Sequence, residues 1–317
     1  MAVKIRDSEG SWVFICPVSN LELSAAVDYE YRIDGLTVVA SKSLPYRRRR
    51  FGFPERISEL KKRPGPLSWK FLSDAKTYAI IRFTGRPSDR EASLFQKVRD
   101  ELAILALSQL GYAKRHQIAY PSLSDEYRPG RRSYLVKNTK NKSWYQPNEV
   151  TGKFLPLVLD DGWVEFSRRV FFNDYLRIIR EKASVKGSWR QALRTAGILC
   201  GQSQCENDKE RALLLDLIAL EILLTRREDR LGETLSERVE AFIGWTDFWE
   251  SEDYSLRIRD LYKKRSDFVH RGQRGKVTWE DVYLADDILL NVITNLVCHS
   301  KLFQSKDDVI SFSTSEG

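Results

Sequence analysis

The sequence predicts an α+β N-terminal domain followed by an all-α helical bundle, and a change of pattern along the chain carries that reading. Up to about residue 160, short β-like runs alternate with turn signals; beyond it, apolar residues recur at helical spacing. Composition agrees, since 317 residues with 42% apolar and 11% aromatic side chains can bury two cores. The expected division is residues 1–160 for the α+β domain, 163–304 for the bundle and 305–317 for a flexible tail.

Each element has a local cause. SWVFICP at 11–17, LTVVAS at 36–41, TYAIIRF at 77–83 and SYLVK at 133–137 are rich in β-branched and aromatic residues and predict strands. One helix interrupts them, with Phe95, Val98, Leu102, Leu105, Ala106 and Leu110 spaced for a buried face and Gly111 as its stop. FLPLVLDDGW at 154–163 reads as a last strand and turn. Helices are then predicted over 165–182, 189–203, 208–225, 234–248, 254–270 and 278–303. Thr234 with Glu237, and Thr278 with Asp281, have the spacing of capping boxes, in which a hydroxyl and an acid satisfy free helix N–H groups.

Composition also bounds the function. No apolar run is long enough to span a bilayer, and ALLLDLIALEILL is interrupted by Asp216 and Glu221, so a cytoplasmic protein without a membrane partner is expected. The four cysteines lack CxxC spacing and the three histidines are far apart, so neither a disulfide framework, a metal site nor a cofactor is expected. The net charge of +8 attracts a polyanion. Its clustering points the same way. YRRRRFGF places Arg47, Arg48, Arg49 and Arg50 between aromatics, and RPGRR with KNTKNK follows at 128–142. Arginine beside aromatics suits phosphate contact and base stacking, with solvated loops as the competing reading.

The stretch LYKKRSDFVHRG, residues 261–272, is the most informative. Ile258, Leu261, Tyr262, Phe268 and Val269 trace one helical face, and Arg265 falls near its middle. A guanidinium there needs an anionic partner, because burying it alone costs several kcal/mol. Glu221 has the same problem, sharing a face with Leu214, Leu217, Ile218 and Leu224, so the two are expected to pair. A pair that only fixes helix register is the competing reading. His270 stands just before Arg271 and Gly272, the expected helix stop, where the carbonyl end favours a protonated imidazole.

These residues resemble a known family. The ALEILL helix with the later LYKKRSDFVHRG helix is similar to the Apea-like branch of the HEPN superfamily, all-helical and often dimeric RNA- and nucleotide-handling domains; the resemblance spans 165–303 and leaves out the N-terminal domain. It implies a HEPN-like bundle whose signature, arginine followed four to six residues later by histidine, is met by Arg265 and His270, with Glu221 as the acid of an earlier helix. The position after the arginine, often small polar or amide-bearing in the family, is Ser266 here. Active relatives are metal-independent endoribonucleases whose dimers unite two motifs in one cleft. The resemblance therefore implies a homodimer joined through the bundle and a role in bacterial or phage-related defence, as a toxin with an antitoxin or other regulator to restrain it.

The side chains suit that chemistry. His270 can act as acid or base at a ribose 2′-hydroxyl and a departing 5′-oxygen, and Arg265 can present a planar fork to phosphate. Asp267 is placed to orient the imidazole, and Lys263, Lys264, Arg271 and Arg274 to hold flanking phosphates. Five helical residues separate Arg265 and His270 by about 140°, so either the helix unwinds at Val269 to His270 or a second subunit supplies one group. A non-catalytic RNA- or nucleotide-binding and dimerisation module is the alternative. DNA reading has little support, since nothing resembles a helix-turn-helix.

Overall fold

A computed structural model describes residues 9–47, 49–52, 75–111, 115, 118–123, 136–137, 144–145, 155–180, 185–229, 231–243 and 254–315. Among these residues the first part holds ten strands: β1 (Ser11–Ser19), β2 (Leu21–Leu23), β3 (Glu30–Arg32), β4 (Thr37–Ala40), β5 (Thr77–Thr84), β6 (Ile118–Ala119), β7 (Ser122–Leu123), β8 (Val136–Lys137), β9 (Trp144–Tyr145) and β10 (Leu155–Leu159). Among the described residues, two α-helices lie between these strands, α1 (Leu44–Arg47) and α2 (Pro87–Leu107), with a short 3-10 turn at Ala25–Val27. Then come α3 (Asp161–Arg169), α4 (Phe172–Ile179), α5 (Gly187–Cys205), α6 (Lys209–Leu224), α7 (Leu231–Glu240), α8 (Tyr254–Arg271), α9 (Trp279–Cys298) and α10 (Lys306–Ser315). A sheet region followed by helices is the order expected.

The main sheet has the order β3-β4-β5-β1-β7 and is antiparallel throughout. Its centre is the pair β1 and β5, with Ser11 opposite Thr84 and Val18 opposite Thr77. Period-two alternation sorts β5 between its faces. Ala79 and Ile81 join the main core, whereas Tyr78 and Ile80 join Val39, Leu44 and Phe51 in a smaller cluster on the other side. A second sheet, β2-β10-β6, is parallel and brings Leu157 opposite Leu21.

Several elements depart from expectation for physical reasons. The helix expected over 165–182 divides into α3 and α4, because Phe171 takes a left-handed backbone conformation with φ of 54° between them. Thr234 lies inside α7, which begins at Leu231, so it caps nothing; Thr278 and Asp281 do form the expected box at the start of α9. Residues 133–135 and 244–248 lie outside the described residues. The stretch expected as a flexible tail is the helix α10, with Val309 and Ile310 buried and Phe312 packed on Phe242 and Phe303 at ring distances of 5.6 and 5.3 Å. Its apolar residues are too few to signal a helix by periodicity, and burial supplies the stability instead.

The core does not stop at residue 160. One continuous apolar cluster runs from Cys16 in β1 to Val309 in α10. The link is α2, buried at every position from Glu101 to Leu107, so that it faces both the sheet and α5. Contact with α5 is backbone to backbone: a Cβ added at Gly201 would meet the Ala103 carbonyl oxygen at 1.8 Å. Glu101 adds a polar tie, accepting from the Asp34 backbone N–H at 2.9 Å and from Arg194 of α5 at 2.9 Å.

A second link is a buried charge. Arg115, from the sheet half, has a side chain only 2% exposed and reaches between α5, α6 and α9. Its Nε and Nη2 donate to the two Asp286 oxygens at 3.0 and 2.8 Å, and its Nη1 to the Ser203 carbonyl at 2.6 Å. Nη2 also reaches Ser203 Oγ at 2.8 Å and Asp216 at 3.4 Å. Gln204 donates to Asp286 as well. Burial pushes both carboxyls up, Asp286 to about 6 and Asp216 further, the second having an oxygen without a hydrogen-bond partner among the described residues.

Two outcomes follow. Arg115→Met leaves two carboxyls without their counter-charge and is expected to cost about 3 to 5 kcal/mol in urea denaturation. Because the folded state holds these carboxyl protons at higher pH than the unfolded chain, stability falls as pH rises through about 6. The carboxylates held low, Asp229, Asp267 and Glu280, act only near and below about pH 4. The melting temperature at pH 5.5 is therefore expected to exceed that at 7.5, and Asp216→Asn to shrink the difference.

Candidate functional site

The helix carrying the arginine and histidine motif, α8, starts at Tyr254 and packs Ile258, Leu261 and Tyr262 into the core. Arg265 continues that stripe and is half-buried, its side chain 19% exposed. Glu221, on α6, meets it at 3.5 Å, so the expected pair forms. The same carboxylate oxygen accepts the Tyr262 hydroxyl. Burial first, and this bond second, raise the Tyr262 phenol far above its ordinary value, so it remains a donor at neutral pH. The Arg265 guanidinium also lies 5.9 Å from the Tyr262 ring centre. Its Nε is buried without a hydrogen-bond partner among the described residues, so the fork is only partly used. The sequence showed Tyr262 as one more apolar position; its hydroxyl is the part that periodicity does not reveal.

His270 is exposed, one residue before the end of α8. The helix stays regular through Arg271 and stops at Gly272, whose φ of 63° closes it. Unwinding at residues 269–270 is therefore not how this chain relates the two groups, since the hydrogen-bonded ladder reaches past them. Arg265 and His270 point about 140° apart on one cylinder. One protomer does not converge them on a single atom. Val269, which the periodicity assigned to the buried stripe, is 46% exposed.

The supporting residues divide. Ser266 is exposed. Asp267 is engaged by Lys276 at 2.9 Å and Arg271 at 3.2 Å, and the Lys276 bond holds its carboxyl below the usual range. It braces the turn after α8 and does not serve the imidazole. Lys264 is held between Asp260 and Asp281 at 2.8 Å each, Arg274 stands 3.5 Å from Asp208, and Lys263 is exposed. In the arginine run, Arg47 pairs with Asp28 at 2.7 Å and Glu30 at 2.6 Å, and Arg50 also pairs with Glu30. Arg49 is exposed, and Arg48 lies outside the described residues, as do almost all of residues 128–142. Much of the basic character expected to face phosphate is thus balanced by neighbouring acids.

Sequence reasoning passed over Arg115, Asp216 and Asp286. The signal existed for the acids, since Asp216 in ALLLDLI and Asp286 in LADDILL sit among leucines as Glu221 does. Among the described residues, no helix is long and apolar enough to cross a membrane, and no three or more His, Cys, Asp or Glu gather as metal ligands. No family model, curated protein or solved structure matches the chain.

The Glu221 and Arg265 pair is testable by a double-mutant cycle. Replacing each and both by alanine is expected to return a coupling of about 0.5 to 3 kcal/mol in equilibrium unfolding. Tyr262→Phe should lower that coupling, since the carboxylate then loses one of its two donors.

Proposed function

We propose that this protein is a cytoplasmic, homodimeric endoribonuclease that cleaves RNA without a metal or cofactor and acts in bacterial or phage-related defence. The observation that carries the reading is one helix, α8, presenting a guanidinium braced by Glu221 and Tyr262 and, at its end, an exposed imidazole. An Apea-like HEPN motif supplies the same residue types at the same spacing. The angle between Arg265 and His270 makes the site composite: two copies of α8 facing each other across a two-fold axis supply the groups that one copy separates.

In such a cleft a neutral His270 takes the 2′-hydroxyl proton while the 2′-oxygen attacks phosphorus and the bond to the 5′-oxygen breaks. The imidazole of the second copy, protonated, gives its proton to that leaving oxygen. Arg265 neutralises charge on the non-bridging oxygens of the phosphorane. The products are a 2′,3′-cyclic phosphate and a 5′-hydroxyl end. A restraining antitoxin or other regulator belongs to the same reading.

A second reading, a non-catalytic RNA-binding and dimerisation module, is favoured by the regular helix end and by the acids already paired with Lys264, Arg271 and Arg274. Total RNA incubated with the protein in EDTA separates the two. New 5′-hydroxyl ends, lost in His270→Ala and in Arg265→Ala with melting temperature unchanged in the first, are expected. Cleavage by His270→Ala at the wild-type rate overturns the assignment, and binding without new ends selects the module.

A further inference from the structure

A cavity of about 140 Å³ opens where the end of α2, the C-terminal turn of α5 and the middle of α9 meet Arg115. Its floor is polar, built from the buried Gln109, Arg115, Gln204 and Asp286, while Tyr283 and Asp287 stand half-buried at its rim. Most of the floor is already satisfied. Arg115 spends its donors on Asp286, Asp216 and Ser203, and both Asp286 oxygens accept, from Arg115 and Gln204.

What remains unsatisfied is of one kind. The Asp287 carboxylate makes no hydrogen bond or ion pair among the described residues, and burial raises its pKa. Gln109 is 5% exposed; its amide N–H donates to the Ser108 carbonyl at 3.3 Å, and its side-chain oxygen accepts from no donor among the described residues. The cavity therefore offers a carboxylate and an amide oxygen, both acceptors, over a floor whose cation among the described residues, Arg115, is already paired. Its character is opposite to the chain's net charge of +8, and it disfavours phosphate. Water can fill it and donate hydrogen bonds, yet water brings no charge to Asp287.

We propose that this cavity binds a small organic cation with a guanidinium or primary ammonium head, the head donating to Asp287 and Gln109. The volume is close to that of the roughly 150 Å³ cavity that holds a benzene-sized molecule, so a head group with a few carbons fills it. A planar guanidinium, which carries several donors in one plane, can serve both acceptors. The site is independent of Arg265 and His270, so it stands or falls apart from RNA cleavage.

Calorimetry on the full chain tests it with methylguanidinium, agmatine, the neutral isostere N-methylurea and inorganic phosphate. The two cations are expected to bind saturably with Kd below about 1 mM, N-methylurea at least about tenfold more weakly and phosphate not at all. Asp287→Asn, at the half-exposed rim, is expected to fold as wild type and to weaken the cations about tenfold, with Asp287→Glu restoring them. No saturable heat from either cation, equal binding of N-methylurea, or binding unchanged in Asp287→Asn overturns the proposal.

Discussion

The fold depends on a buried arginine. Arg115 enters the helical part from the sheet part and holds α5 and α9 together through Ser203 and Asp286, with Asp216 of α6 beside it. Charges in a dry interior are costly unless their geometry is nearly complete, and here every guanidinium nitrogen has an acceptor. A mispacked arrangement of the same helices would strand two carboxyls among leucines. The constraint thus acts as a register lock. It selects the one assembly of α2, α5, α6 and α9 in which the counter-charge is present, and that assembly fixes where α6 presents Glu221.

The rest of the site is built on that frame. Glu221 lies five residues, about 1.4 turns, beyond Asp216 on α6, so whatever positions the first positions the second. From there Tyr262 and Arg265 of α8 converge on one carboxylate oxygen. The arginine predicted to need an anion has one inside its own chain, which accounts for its burial without a ligand. Among the described residues His270 has no such tether, and it stands exposed at the helix end.

Much of this was legible beforehand, for a common reason. Apolar periodicity located α5, α6 and α8 nearly to their ends, and the start of α9, because their buried faces are wide and their ends are marked, as at Gly272 and at the Thr278 cap; it found α2 but not its first two turns, and carried α9 five residues too far. A charge on an apolar stripe predicted the Glu221 and Arg265 pair for the same kind of reason. Arg115 was illegible because it lies in no periodic segment and is one of 52 basic residues. The exposure of Val269 and the regularity of α8 to Arg271 were also hidden, since helical spacing fixes which side a residue faces but not whether anything covers it.

Gly201 carries a consequence for how the chain evolves and can be cut. Where a main-chain carbonyl of α2 occupies the space a methyl group would need, sheet and bundle share a wall with no side chain to trim. Neither part can be transplanted onto another scaffold with its surface intact, because each would expose a bare helical groove shaped for the other. At that point a displacement of α2 would reach α5 directly, there being no side chain between the two backbones.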